Sequence, residues 1–121
     1  MKPTELSIGN LVVITDKVVK VEQITKHKIG YHTKSNETRM NYARLCEIEP
    51  IPITEELLLK CGFDESCDEV YEREDFEITK EGDEWWVSWN GGCDYWFAIK
   101  HLHQLQNAYY LVTGKELEIK L

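Results

Sequence analysis

The stretch EPIPITEELLLKCGF, Glu49 to Phe63, decides how the rest of the chain is organised. Pro50 and Pro52 fix φ and push the residues before them out of the helical region, so the stretch begins as an extended connector. It then changes character. Thr54 is a good N-cap, and Glu55 and Glu56 put negative charge into the first turn, where the helix dipole favours it. Leu57, Leu58 and Leu59 give the predicted helix more apolar surface than a solvated helix needs. Gly62 suits the left-handed position after the helix end, and Phe63 can fold back onto the last turn, as in a Schellman ending. A helix this apolar must be buried, which predicts a clamp in the seam between two halves rather than a free hinge.

Before the connector, residues 6 to 45 read as all-β. LVVIT, Leu11 to Thr15, is a short strand rich in β-branched residues, entered through Gly9-Asn10 and broken by Asp16-Lys17. VVKVEQIT, Val18 to Thr25, alternates, with Val19, Val21 and Gln23 on one face and Val18, Lys20 and Glu22 on the other. Lys26-His27 is a turn, and KIGYHT, Lys28 to Thr33, is a third strand. RMNYARL, Arg39 to Leu45, sets Met40 and Tyr42 against Arg39, Asn41 and Ala43. Four short strands with tight turns predict a small, strongly bent antiparallel barrel of the Src-homology-three or Tudor kind, with a plain meander as the alternative.

After the helix, DESCDEVYERED, Asp64 to Asp75, is a charge run with seven acidic residues in twelve, read as a solvated loop. It lacks the Asp-x-Asp-x-Asp-Gly order of a calcium loop. FEITK and EWWVSWN form a hairpin around Glu81-Gly82-Asp83, and DYWFAI follows the Gly91-Gly92 turn. Alternation places Trp85, Val87 and Trp89 opposite Trp86, Ser88 and Asn90, and Tyr95, Phe97 and Ile99 opposite Trp96 and Ala98. Both sheet faces are then apolar. Leu102, Leu105, Tyr109 and Val112 recur at helical spacing, giving a C-terminal helix expected to lie on one face of that sheet, with Gly114 at its end. Leu117 and Ile119 are placed in a short closing strand. The fold predicted is α+β, with a β-barrel-like unit over residues 1–49 and an α+β unit over 50–121, packed as one body.

Composition bounds the function. The chain has 121 residues, 42% apolar and 30% charged, which is globular usage. Nothing approaches the roughly 18 apolar residues of a membrane span, and the start has no secretory pattern, so a soluble, cytoplasmic protein is expected with no membrane partner. Net charge is −8, unevenly placed: up to Ile53 eight Lys and Arg face six Asp and Glu, and beyond it six face sixteen. A uniformly basic nucleic-acid binder is thereby excluded, while a mildly basic first half is not.

Four cysteines, Cys46, Cys61, Cys67 and Cys93, show no CxxC spacing and read as free thiols. Cys61, Cys67 and Cys93, all in the second half with His101 and His103, are the metal-site candidates. The two histidines would lie about 200° apart on a helix and could share an ion only on extended backbone. Gly91-Gly92-Cys93 with a histidine base is a candidate nucleophile, but a hairpin turn followed by an ordinary cysteine accounts for it equally simply. No hydrolase elbow, phosphate loop or dinucleotide fingerprint is present. No catalytic residue, metal site or cofactor is therefore expected, and the chain reads as non-enzymatic.

Two binding surfaces remain. Trp86 and Trp96, neighbours on adjacent strands, together with Tyr110 off the stripe of the last helix, form the candidate protein-interaction surface, since tryptophan and tyrosine dominate interface hot spots. Burial of both tryptophans inside the protein is the ordinary alternative. The partner expected there is another protein or a second copy of the chain. The alternative partner is nucleic acid, held by Lys20, Lys26, Lys28, Arg39 and Arg44, with Lys17, His27 and Lys34 near them and Tyr31 and Tyr42 available for stacking.

LSIGNLV near the start, EPIPITEELLLKCGF in the middle and HLHQLQNAYYLVTGKEL at the end together resemble a family of small proteins whose genes are common in gut Bacteroidetes, often within prophages and other mobile elements. The resemblance spans most of the chain. It implies a bacterial or phage-derived cytoplasmic protein and brings no activity or catalytic motif with it. The function expected is that of a non-enzymatic binding or adaptor protein.

Overall fold

In the computed structural model, residues 5–33, 38–74, 76–89, 97–117 and 119 are described, and among them ten strands and two α-helices make an α+β fold. The chain divides into two compact units, Met1–Ile51 with His101–Asn107, and Pro52–Lys100 with Ala108–Leu121.

The first unit starts from a tight hairpin. Thr15 and Asp16 take φ of 48° and 64°, the left-handed geometry that a two-residue hairpin needs, and join β1 (Leu11–Ile14) to β2 (Lys17–Lys20). The run Val18 to Thr25, predicted as one strand, is two. β2 ends at Lys20, and β3 (Gln23–Ile24) joins a different ladder with β4 (Lys28–Tyr31) and β5 (Asn41–Arg44). The backbone changes allegiance at one step: Val21 donates to Asn10 O and Glu22 to Gly30 O. Among the described residues the strands therefore form a two-stranded and a three-stranded sheet, and no ladder closes them into a barrel. Both sheets share one core of Val12, Ile14, Val19, Val21, Ile29 and Ala43 with Leu6 and Ile48. A 3-10 turn over Leu45–Glu47 returns the chain to β1, where Val13 and Glu49 exchange two backbone hydrogen bonds of 2.8 Å.

Polar side chains complete this unit. Asn10, buried, accepts from Ser7 N–H and donates to Asn107 Oδ1, both at 2.8 Å. Gln106 accepts from Leu11 N–H and donates to Gly9 O, and Asn107 Nδ2 donates to Glu5 O. Two amides of one helical turn thus satisfy backbone groups that no ladder reaches.

The second unit holds α1 (Glu55–Lys60), whose caps follow the expected chemistry. Thr54 Oγ1 accepts from Leu57 N–H at 3.1 Å, Gly62 takes φ of 84°, and Phe63 and Gly62 donate to Leu58 O and Leu59 O, the paired bonds of a Schellman ending. The acidic run expected as a loop is instead mostly a hairpin, β6 (Asp64–Cys67) and β7 (Val70–Arg73). Asp64 and Glu65 are exposed on the edge strand β6 and Asp68 and Glu69 at the turn, while Tyr71 of β7 points into the core. With β8 (Phe76–Glu81), β9 (Glu84–Trp89) and β10 (Phe97–Ile99) they make an antiparallel sheet in the order β10-β9-β8-β7-β6. Tyr71, Phe76, Ile78, Trp85, Val87 and Ile99 occupy its buried face. Phe63 and Tyr109 close on Phe76 edge-on, with ring centroids 5.3 to 6.4 Å apart.

The C-terminal helix α2 (Leu102–Thr113) is divided between the units, and its Tyr109 packs on Phe76 of the larger sheet. Its first half, with Leu102 and Leu105 buried, belongs to the first unit, and its second half, with Ala108 and Tyr109 buried, to the second. It ends at Gly114, φ 74°. Leu117 is buried but lies in irregular backbone, so the closing strand is not formed there. No helix among the described residues is long and apolar enough to cross a membrane.

Candidate nucleic-acid interface

The outer face of the β3–β4–β5 sheet is built by alternation. Ile24, Ile29 and Ala43 pair across the three strands and face the core. Gln23, Gly30 and Tyr42 form the next cross-strand row and face outward, and Lys28 pairs with Arg44 one row along. The sequence pattern of β5 suggested Met40 and Tyr42 as its apolar side; small Ala43 is what the core accepts, and Tyr42 is left 56% exposed. Tyr31, the other stacking candidate, packs partly buried against the core.

The hairpin between β3 and β4 turns at Lys26-His27. Thr25 and Lys28 close it, Thr25 N–H donating to Lys28 O at 2.9 Å and Lys28 N–H to Thr25 Oγ1 at 3.1 Å. An open depression of about 450 Å3 is lined here by Gln23, Thr25, Lys26, His27, Lys28 and Tyr42. The Tyr42 hydroxyl donates to Gln23 Oε1 at 3.2 Å, across the Gly30 row. A Cβ at Gly30 would collide with the Met40 thioether, so glycine is what allows Met40 to lie on the sheet backbone there.

The charges around this face are arranged in one sense. Lys26, Lys28 and Arg44 are exposed. Glu47 accepts from Arg44 Nε at 2.8 Å and holds the guanidinium pKa above its ordinary value. Glu22 is engaged by His32 Nδ1. Of the five expected cations, Lys26 and Lys28 line the depression and Arg44 stands beside it only as the strand partner of Lys28; Lys20, in the β1–β2 ladder, and Arg39, ahead of β5, are exposed and do not line it. Alternation along Val18 to Thr25 sets Gln23 with Val19 and Val21, but the break after Lys20 changes the phase and turns Gln23 outward beside Gly30, while Thr25 carries no signal until its strand partner is known.

The predicted aromatic surface has a different fate. Trp86 is half-buried in the row Val70, Thr79, Trp86, Ala98 on the second face of the larger sheet. Trp96 lies outside the described residues, as does Cys93. Tyr110 is 58% exposed, and the adjacent Leu111 is 82% exposed.

The remaining chemistry-bearing groups are separate. His101 and His103 stack with ring centroids 5.8 Å apart and planes within 8°, which is reached because His101 precedes the helix rather than belonging to it. Gln104 caps that end by accepting from His101 N–H at 3.0 Å. Among the described residues no group of three or more His, Cys, Asp or Glu gathers as a metal site. Cys46 and Cys67 are exposed thiols, and burial pushes the Cys61 thiol up to about 11, against the opposing pull of Arg73. No protein-family model matches the chain, and neither a curated protein nor a solved structure is significantly similar to it.

Proposed function

We propose that the protein is a non-enzymatic binding protein whose first unit holds nucleic acid on the outer face of β3–β5. The observation that carries the reading is the clustering of Lys26, Lys28 and Arg44, all exposed, around an open tyrosine on one small sheet. Phosphate contacts from such cations release condensed counterions, so affinity should fall with salt. Three contacts to a single strand correspond to a slope of about −2 in log affinity against log salt. Anisotropy titration of a labelled oligonucleotide between 25 and 200 mM salt measures it. Absence of binding at the lowest salt, or a flat salt response, would overturn the reading.

A second reading, self-association, is favoured by Tyr110 and Leu111 standing exposed side by side on α2. A second copy of the chain is the partner proposed, with Trp86 and Trp96 as further contributors. Sedimentation equilibrium should then show a dimer that Leu111→Ser returns to monomer; a monomeric wild type at 100 µM removes this reading. We further propose a bacterial or phage-derived, cytoplasmic setting, and an open relative of the Src-homology-three barrel for the first unit. The Val13–Glu49 bridge, which returns the end of the strand run to β1, supports the latter.

A further inference from the structure

Resting on the nucleic-acid reading of the β3–β5 face, we propose that the ligand is a single strand, one base of which stacks on Tyr42 while its flanking phosphates are held by Lys26, Lys28 and Arg44. A duplex hides its base faces in its own stack, so an exposed ring on a sheet offers it little beyond the charge of its surroundings. A single strand has free base faces, and aromatic platforms beside a basic track are the general way of holding one.

The Tyr42 ring is prepared for this role. Its hydroxyl is tethered to Gln23 Oε1, so much of the ring's rotational freedom is already spent before a ligand arrives. With Oε1 so engaged, Gln23 has its amide N–H groups to offer to a base edge or phosphate. Gly30 has no side chain of its own between Gln23 and Tyr42, and the Met40 thioether lies over it, so the floor beside the Tyr42 ring is apolar.

The cations stand at the right separation. Lys28 and Arg44 form the next cross-strand pair, about 7 Å along the strands from the Tyr42 row. That is within reach of the phosphates on the hairpin side of a base lying on the ring. Glu47 takes only Nε of Arg44, which fixes the guanidinium plane and leaves its terminal nitrogens for a phosphate. Lys26 and His27 add donors at the hairpin tip.

The test is anisotropy at 50 mM salt with a labelled 12-nucleotide thymidine homopolymer and a mixed-sequence 12-base-pair duplex. The full chain is used as wild type, Tyr42→Ala, Tyr42→Phe and Lys26→Gln/Lys28→Gln. All three positions are on the surface, and circular dichroism checks that each variant is folded. Wild type should prefer the single strand. Tyr42→Ala should weaken it by roughly 5- to 150-fold, the value of one base stacked on an aromatic ring, and leave duplex binding unchanged. Tyr42→Phe should stay within about threefold of wild type, while the double lysine variant should weaken both ligands. If Tyr42→Ala leaves single-strand affinity intact, or the duplex binds equally well, the stacking inference falls and the basic-face reading survives. If neither oligonucleotide binds wild type, both fall together.

Discussion

His103 is the residue whose surroundings most oppose its ordinary chemistry. It is 2% exposed, its Nδ1 has no hydrogen-bond partner, and its ring lies parallel to that of His101. Burial first, and then the neighbouring His101, hold its pKa below the ordinary 6.5, with Glu5 opposing them. The unfolded chain therefore takes up a proton that the native chain refuses. Stability from this site is complete above the ordinary histidine range and drains as pH falls through about 6.5. Urea melts at pH 7.5 and 5.5 should show this loss, and His103→Phe, which removes the unpaired nitrogen and keeps the bulk, should flatten it. An unchanged pH response in that variant would assign the effect elsewhere. Asn10 is the opposite case: a buried polar side chain whose oxygen and nitrogen are both satisfied.

At the scale of the element, α1 shows how far local chemistry carries. Its N-cap, its acidic first turn and its glycine-based ending are all legible in Thr54, Glu55, Glu56 and Gly62, because each acts within four residues of itself. Its burial is not. Three consecutive leucines cannot all face one way on a helix, and the fold buries Leu57 and Leu58 while leaving Leu59 57% exposed. Leu58→Asp should cost several kcal/mol, since it puts a carboxylate where no water reaches. Leu59→Asp should change stability by less than about 0.5 kcal/mol. Chemical denaturation of the two variants checks the contrast; equal losses would mean that the helix is buried all round. The β6–β7 hairpin teaches the same lesson from the other side. Its charge run suggested a loop, yet β7 pairs with β8 in full register with Tyr71 turned into the core, and β6 then adds to it as a wholly exposed edge strand.

For the molecule as a whole, the division of charge sets the terms of any binding. The segments on either side of the connector carry +2 and −10, as counted along the chain to and beyond Ile53. A chain with a net charge of −8 does not attract a polyanion from a distance. At physiological salt, however, fields between exposed charges fade within about 8 Å, so a local cluster of cations can act on a phosphate that touches it. A nucleic acid held on the β3–β5 face, as proposed, would therefore be bound by contact rather than by steering, with the salt slope of about −2 that three phosphate contacts give.

The sequence by itself determined the α+β class, the position of the connector, the α1 caps and the hairpin turn at Gly82, since these depend on neighbours a few residues away. Tertiary structure decided which side of each strand was turned inward. Met40 and Tyr42 looked like the apolar side of β5, but the limited room beside Ile24 and Ile29 admits Ala43, and Tyr42 is thereby left on the surface beside Lys26 and Lys28. It also decided that α2 is divided between the two units after Asn107, because a helical stripe records that a face is buried and not what buries it. The candidate binding face arises from the first of these choices. Strand pairing brings Gln23, Lys28, Tyr42 and Arg44 together from positions up to 21 residues apart, and register is a property of the assembled sheet rather than of any one strand.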